Sequence, residues 1–510
     1  MLGIFGKKSD HPLADIKTAQ QVLEEIPKND AQNAVQELTG WIETAVELAE
    51  DFRLDHEFAV LRMLDDAAQP YVRKLLRDYF TVQPLSRFQE NRLWTVLNNY
   101  YTQSELAHHH VLTRLINGAR GASGFKTEMA SLGTRGIAAL TGRLKMAVAR
   151  YALVEAPLWQ HLSEYYSHAE RYGYQNDAVP LYPGVPGNTS VKQEFCTLLG
   201  WYGVSAGVLS PLQAHITERL ISYAGASLNV YDQYNANALF VFDLSQPTPP
   251  MRMANEATLH PALRFIVLSE SLTRLNSLLK TLDKGIVPDD VNFCGATYDA
   301  ELVRETLRRL IDSLTQPPPT RRNPRRKISV SLKVANGFFH MLEKADAGLN
   351  FFNPDVGELW EVEDISVTGF RSVVPAARAA GIKIGSLIGS KPENVPHWGA
   401  GIVRRLSLDE NNNLHIGVEV VSTQITGVSL IERGYSAEEG GQLALYLNRP
   451  GDTSGEAWLL MKPDTFSPSR SLNMDKGGKG YLLLPLARVE SGDDYDLARY
   501  RLMEPEVTAE

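Results

Sequence analysis

The chain has 510 residues, a formal net charge of −9, 44% hydrophobic residues and 22% charged residues. This is the composition of an ordinary globular protein, and the length exceeds what one hydrophobic core accommodates, so we expect about two to four domains. A generic nucleic-acid binder is normally basic overall, so the negative net charge argues against DNA as a partner.

Cysteine content and hydropathy indicate the cellular compartment of the protein. Cys196 and Cys294 are the two cysteines of the chain, which predicts a reducing compartment without a disulfide framework, and isolated cysteines are usually buried. No segment approaches the roughly 20 continuous apolar residues of a membrane helix. We therefore expect a cytoplasmic protein without a membrane span.

Residues 1–315 are predicted to form a mainly helical interaction domain. Capping residues precede helical runs at Asp30, Ser86, Ser190 and Ser210, and each of the three serines is followed three positions later by Gln, the capping-box residue. Apolar residues then recur every three or four positions, which gives each helix one apolar face. This pattern indicates a helical bundle.

The pattern changes after the bundle. Residues 228–244 are compatible with a short extended hairpin, because Val230 and the run from Leu239 to Phe242 favour strands. Helical periodicity returns over residues 263–282 and again over 300–314.

Candidate catalytic groups in the helical region are weak. His108, His109 and His110 are consecutive, so their side chains diverge on a helix, whereas helical metal ligands are spaced by three or four. We assign them to ordinary surface and groove positions. Asp65 and Asp66 are adjacent and indicate a solvated face, not a general acid/base pair. We predict no metal, no cofactor and no catalytic residue, and hence that the protein is not an enzyme.

Residues 316–327 are predicted to be a Pro/Arg linker. Pro317 to Pro319 favour a stiff extended segment. Five positive charges follow within the segment from Thr320 to Lys327, which we call the arginine arm: Arg321, Arg322, Arg325, Arg326 and Lys327. Guanidinium groups bind phosphate oxygens or the O6/N7 edge of guanine through paired hydrogen bonds. A solvated linker or RNA binding through the arm are alternatives from charge alone.

Residues 328–425 are predicted to form an antiparallel β-barrel. Apolar and polar residues alternate from Ile328 to Val334 and again from Leu414 to Val420, as in half-buried strands. Between these runs, Asp364, Ser366 and Gly369 end an extended stretch and bring a carboxylate, a hydroxyl and a bare backbone together.

The arginine arm and this barrel resemble the PilZ family of cyclic-di-GMP receptors over residues of about 320–425. The family's Arg-x-x-x-Arg motif is satisfied by two overlapping pairs, Arg321 with Arg325 and Arg322 with Arg326, and its (Asp/Asn)-x-Ser-x-x-Gly motif by Asp364, Ser366 and Gly369. The resemblance implies that the arginines clamp the phosphates and guanines of cyclic-di-GMP. It also implies that the Asp and Ser read a guanine edge, and that the Gly permits close approach. One departure is the stretch between the motifs, including residues 336–353, which is longer than is usual in the family.

The remaining residues, 426–510, are predicted to be β-rich, with strands near 457–461, 481–486 and 497–502 and a hairpin turn at 476–480. They form either an extension of the barrel or a second barrel. The predicted fold is thus multidomain α+β: an N-terminal helical bundle, a PilZ-like antiparallel β-barrel and a further β-rich C-terminal extension.

The predicted function is that of a cyclic-di-GMP receptor that transmits ligand binding to an unidentified protein partner through its helical domain. The chain carries neither the Gly-Gly-Asp-Glu-Phe nor the Glu-Ala-Leu signature of enzymes that make or degrade cyclic-di-GMP. The alternative is a ligand-independent PilZ-like adaptor in bacterial motility or pilus assembly.

Overall fold

The computed structural model of the chain describes residues 11–83, 85–253, 259–268, 270–293, 295–316, 326–345, 358–379, 381–432, 441–449 and 455–503. The chain divides into two compact units, Met1–Pro319 and Thr320–Glu510. The first is mainly helical and the second consists of two β-barrels, so the protein is a multidomain α+β chain, as predicted.

The helices of the first unit are amphipathic, and their apolar faces meet in one core. They are α1 Ile16–Glu25, α2 Ala31–Glu47, α3 Leu54–Tyr79, α4 Arg87–Ile116, α5 Met129–Val148, α6 Ala156–Tyr172, α7 Val191–Ser205, α8 Pro211–Ala224, α9 Ser271–Leu282 and α10 Ala300–Thr315. The largest wholly buried side chains of this core include Phe58, Trp159, Tyr165 and Trp201. Cys196 is buried in the same core, while Cys294 lies outside the described residues.

The predicted helix starts are confirmed. Asp30, Ser86, Ser190 and Ser210 are the N-caps of α2, α4, α7 and α8, and each side chain accepts a hydrogen bond from a backbone N–H of the first turn. The capping box is reciprocal for α4 and α8, where the Gln side chain also reaches back to the cap backbone. For α7 the structure gives only the bond from the backbone N–H to Ser190.

A small antiparallel sheet lies in the first unit, in the order β1-β4-β2-β3. Its strands are β1 Asn229–Tyr231, β2 Phe240–Asp243, β3 Met251–Arg252 and β4 Leu263–Val267. The two strands within residues 228–244 pair with β4 and not with each other, so this segment is not a hairpin. Residues 263–267 are a strand and the helix begins only at Ser271, which corrects the predicted helix over 263–282.

The second unit begins with a closed six-stranded barrel, in the order β10-β7-β6-β5-β8-β9. Its elements are β5 Arg326–Asn336, α11 Phe338–Lys344, β6 Glu358–Ser366, β7 Gly369–Pro375, β8 Leu387–Pro392, β9 Gly399–Leu408 and β10 Asn413–Ser422. The predicted alternation buries Leu332 and Val334, whereas Val330 is 46% exposed beside a register shift between Lys327 and Val330.

A second closed barrel follows, in the order β11-β12-β13-β16-β15-β14. Its strands are β11 Gln424–Glu432, β12 Gly441–Asn448, β13 Glu456–Met461, β14 Leu472–Lys476, β15 Lys479–Ser491 and β16 Asp496–Met503. The C-terminal extension is therefore a barrel of its own. The turn between β14 and β15 uses Gly477 and Gly478, at φ 64° and 80°, a backbone region that glycine adopts at little cost.

The helix α11 accounts for part of the long stretch between the two sequence motifs. Its Phe338, Met341 and Leu342 are buried in a cluster that contains residues of both barrels, such as Leu387 of the first and Leu445 of the second. The backbone N–H of Phe338 also donates to Asp494 of the second barrel, at 2.6 Å. The inserted helix therefore joins the two barrels, and residues 346–357 lie outside the described part of the chain.

None of the helices in the described residues combines the length and the apolar character that crossing a membrane requires.

Candidate functional site

The motif residues that the structure describes lie at one end of three adjacent strands. Arg326 begins β5 opposite Ile365, and Asp364 lies opposite Lys327. Ser366 ends β6 opposite Gly369, the first residue of β7. The pairing of β5, β6 and β7 thus brings Arg326 and Lys327 to the same end of the barrel as Asp364, Ser366 and Gly369, which follow later in the chain. The register puts Lys327 on the face of Asp364 and Arg326 on the opposite face, with Ile365. Arg321, Arg322 and Arg325 lie outside the described residues, and their role stays a prediction.

The turn between β6 and β7 is closed by the motif serine. The hydroxyl of Ser366 donates to the carbonyl oxygen of Gly369 at 3.1 Å. The carbonyl of Thr368 in turn accepts from the backbone N–H of Val420 on β10, at 3.0 Å. A hydroxyl that donates one hydrogen bond keeps its lone pairs available as acceptors, so Ser366 can hold the turn and still accept from a ligand.

Gly369 is required by the packing of the barrel itself. A Cβ at this position would stand 2.4 Å from the carbonyl oxygen of Val418 on β10, a contact that no side chain makes without moving the backbone. The close approach that this glycine permits in the structure is therefore that of a neighbouring strand. Its predicted part in binding a ligand stays a prediction.

A row of mostly charged residues crosses the outer face of the first barrel from the motif end. Strand register places each residue of the row opposite the next, and opposite residues point to the same face. In order across the strands, the row consists of Lys327, Asp364, Arg371, Gly417 and Arg405. We call them the outer row. Each is exposed or half-buried, so the row presents three cations and one carboxylate to solvent.

Arg371 and Arg405 are not part of the sequence motif, and sequence reasoning missed their relation to it. Period-two alternation indicates that both lie on exposed faces. What aligns them with Asp364 is the register of three strand pairs, β6–β7, β7–β10 and β10–β9, including a shift between Val362 and Asp364. No local sequence signal carries that register.

The guanidinium of Arg371 is held from two sides. Its Nη2 donates to Nδ1 of His415 at 2.7 Å, and its Nε lies 3.2 Å from a carboxylate oxygen of Glu363. On the far side of the ring, Nε2 of His415 lies 3.1 Å from Oδ2 of Asp409. Backbone N–H groups of Asn413 and Asn411, with other donors, hold the pKa of Asp409 below its usual range.

In the helical unit, the structure corrects the prediction for Asp65 and Asp66. Asp65 is wholly buried and accepts from the hydroxyl of Tyr100, while Arg135 of α5 reaches both carboxylates, at 3.3 Å for Asp65 and 2.7 Å for Asp66. The pair is therefore not a solvated face. Adjacent helical residues do point apart, but the long side chain of Arg135 on α5 contacts both carboxylates.

The three consecutive histidines diverge as predicted, yet one of them is not at the surface. His108 is wholly buried with Nδ1 at 2.7 Å from the carbonyl of Ser104. His109 bonds Glu164 at 2.6 Å, and His110 bonds Glu57 at 3.0 Å. Within the described residues there is no group of three or more side chains placed to hold a metal ion.

A pattern that sequence reasoning passed over is the Gly-Val-Ser-Ala-Gly run of residues 203–207, which matches the nucleophile elbow of hydrolases. Such an elbow is a strand-to-helix turn that exposes its serine. Here Ser205 is the last residue of α7 and is wholly buried. The pattern is therefore not a nucleophile in this fold.

Residues 17–231 match a family model described as the N-terminal domain of the cyclic-di-GMP receptor FimW. The match runs from α1 to β1, within the helical unit, and a search of curated proteins finds no match. The chain is thus similar, over this part, to a family of cyclic-di-GMP receptors. The match does not overlap residues 320–425, so it bears on the receptor class and not on the PilZ resemblance.

Proposed function

We propose that the protein is a non-catalytic, cytoplasmic cyclic-di-GMP receptor that binds its ligand on the first barrel. The observation that carries the proposal is the strand pairing that brings the end of the arginine arm, Arg326 and Lys327, to the end of β6 and β7 where Asp364, Ser366 and Gly369 lie. The similarity of the helical unit to a receptor family with the same ligand supports it from a separate part of the chain.

The chemistry of the ligand fits this end of the barrel. Cyclic-di-GMP carries two phosphates and two guanines, so it needs cations, hydrogen-bond acceptors for the guanine N–H groups and an open surface. The arginine arm ends in β5, which begins at Arg326 and pairs with β6 beside Asp364. Arginines there neutralise phosphates and stack on bases, while Asp364 and Ser366 accept from a guanine edge.

Ligand binding is transmitted to a protein partner through the helical unit. Val82, in the segment before α4, and Phe88, in the first turn of α4, are 65% and 74% exposed, which makes these large apolar side chains candidates for contact with a partner. Phe88→Ser should abolish ligand-dependent partner capture while leaving cyclic-di-GMP affinity unchanged. Partner capture that is the same with and without ligand would favour the adaptor alternative.

The binding proposal is tested by calorimetry on the full chain with cyclic-di-GMP, GTP and a short RNA. We expect binding of cyclic-di-GMP alone. Loss of each charge-assisted contact should weaken it roughly 10- to 150-fold, from about 1.5–3 kcal/mol per contact. The double changes Arg321→Ala/Arg325→Ala and Arg322→Ala/Arg326→Ala decide which pair is used. Arg470→Ala, an exposed arginine of the second barrel paired with Glu432, is the matched control.

Two outcomes contradict the proposal. If cyclic-di-GMP does not bind, the protein is not a receptor for it, and if RNA binds instead, the arm serves nucleic acid. If cyclic-di-GMP binds but neither double change weakens binding relative to the control, the arginine arm is not the clamp. Far-UV circular dichroism must be unchanged in every variant, so that a loss of binding is not a loss of fold.

A further inference from the structure

We propose that Arg371 is a specificity-determining contact for a guanine of the ligand, and that His415 and Asp409 are the residues that position it. This inference rests on the proposed function. It adds a residue outside both sequence motifs, and it names the part of cyclic-di-GMP that the residue recognises.

The position of Arg371 in the sheet is the first support. It lies directly opposite Asp364 across the β6–β7 pairing, so both side chains point to the same outer face. A carboxylate beside a guanidinium complements guanine, whose N1–H and N2–H groups donate while O6 and N7 accept. Adenine carries an amino group in place of O6, so a guanidinium aimed at that atom discriminates between the two bases.

The state of the Arg371 side chain is the second support. It is 41% exposed, although it bonds both Glu363 and His415. These contacts use Nε and one hydrogen of Nη2, and no other described residue bonds Nη1. A guanidinium held on one edge offers its remaining N–H groups to a ligand with little loss of side-chain entropy on binding.

The third support is the hydrogen-bond chain behind Arg371. Asp409 is fixed by the backbone N–H groups of Asn411 and Asn413, at 2.9 and 2.8 Å, in the turn between β9 and β10. Its ionised carboxylate accepts from Nε2 of His415, so the neutral ring carries its proton there. Nδ1 is then left as an acceptor, which is what the donating Nη2 of Arg371 needs.

The test compares the affinities of cyclic-di-GMP and cyclic-di-AMP for the full chain and its variants by calorimetry. Arg371→Ala should weaken cyclic-di-GMP binding roughly 10- to 150-fold and cyclic-di-AMP binding much less. His415→Ala should weaken cyclic-di-GMP binding less than Arg371→Ala does, because it removes a support of Arg371 and leaves the guanidinium itself in place. Arg470→Ala is again the matched control and should change neither affinity.

A conservative variant separates positioning from mere stabilisation of the sheet. His415→Asn keeps an acceptor oxygen near the place of Nδ1 and should retain most of the cyclic-di-GMP affinity that His415→Ala loses. If Arg371→Ala does not fold, Arg371→Lys serves in its place, because it keeps the charge but loses the planar fork.

The possible results are distinct. If the unmodified protein binds cyclic-di-GMP and the Arg321/Arg325 or Arg322/Arg326 variant binds it less well, while Arg371→Ala behaves like Arg470→Ala, this inference is wrong and the proposed function stands. Equal loss of both dinucleotides in Arg371→Ala also overturns it, because that result assigns Arg371 to phosphate. If the unmodified protein does not bind cyclic-di-GMP, both the inference and the proposed function fail.

Discussion

Replacing Asp65 by alanine should destabilise the helical unit strongly. Asp65 is wholly buried and accepts from Gln69 and Arg135, at 3.2 and 3.3 Å, and from the hydroxyl of Tyr100. Arg135 is itself only 4% exposed. The change removes a carboxylate on which a buried cation and two buried donors depend.

The size of the loss in unfolding free energy depends on which partners Arg135, Gln69 and Tyr100 retain after the change. Removing one partner of a buried ion pair costs about 3–5 kcal/mol, because the other charge is left without compensation. Arg135 retains Asp66 at 2.7 Å and the ring of Tyr182 at 4.9 Å, which lowers its share. Gln69 and Tyr100 keep the bond to each other, at 2.9 Å, but lose their shared acceptor. We expect a loss of about 3 kcal/mol in the free energy of unfolding of this unit.

The assay is urea unfolding followed by far-UV circular dichroism, whose signal comes mainly from the helices of the first unit. Asp66→Ala is the matched control, since Asp66 is adjacent, bonds the same arginine and is 28% exposed. It should cost clearly less than Asp65→Ala. The double change Asp65→Leu/Arg135→Met removes both charges of this pair and should recover part of the loss, because Asp66 then loses its bond to Arg135. Equal effects of the two single changes would refute the reasoning.

Two further predictions concern the ligand site and the pH dependence of stability. Asp364→Ala and Ser366→Ala should reduce the ratio of cyclic-di-GMP to cyclic-di-AMP affinity more than they reduce overall dinucleotide affinity. The reason is that contacts to the bases determine which dinucleotide is bound, while contacts to the phosphates only position it. An unchanged affinity ratio in calorimetry would assign both residues to the structural turn alone. Burial raises the pKa of the Glu194 carboxyl group from 4.5 to about 7. The folded state therefore binds the carboxyl proton more tightly than the unfolded state does. The contribution of Glu194 to stability is greatest below about pH 4.5 and is lost as the pH rises through about 7. The difference in unfolding free energy between Glu194→Gln and the unmodified protein should therefore increase in favour of the glutamine over this range, and a constant difference would contradict the assignment.

The features that were predictable from sequence are those that local rules determine. A serine three residues before a glutamine predicts the N-caps at Ser86 and Ser210, and the structure contains both capping boxes. The β14–β15 turn is visible in its glycines. The strands of both barrels follow period-two alternation or short apolar runs between turn residues.

The errors arise where long-range pairing decides. Residues 263–267 are a short apolar run that suits a buried helix or a strand, and only their pairing with β1 and β2 makes them β4. Asp65 and Asp66 resemble a solvated face because the arginine that neutralises them is on another helix, some 70 positions later in the chain. The outer row is likewise a product of strand register. Part of the candidate site was visible as a motif, but Arg371 and His415 could be related to it only through the fold.

The central claim is that cyclic-di-GMP binds the first barrel, and amide hydrogen exchange of the full chain with and without saturating cyclic-di-GMP tests it most directly. The measurement also separates the two parts of the chain that point to this ligand, the barrel motif and the helical unit of residues 17–231. We predict slower exchange in the arginine arm and over residues 358–372 when the ligand is bound. Slower exchange confined to residues 17–231, with the arm and the first barrel unchanged, would contradict the account.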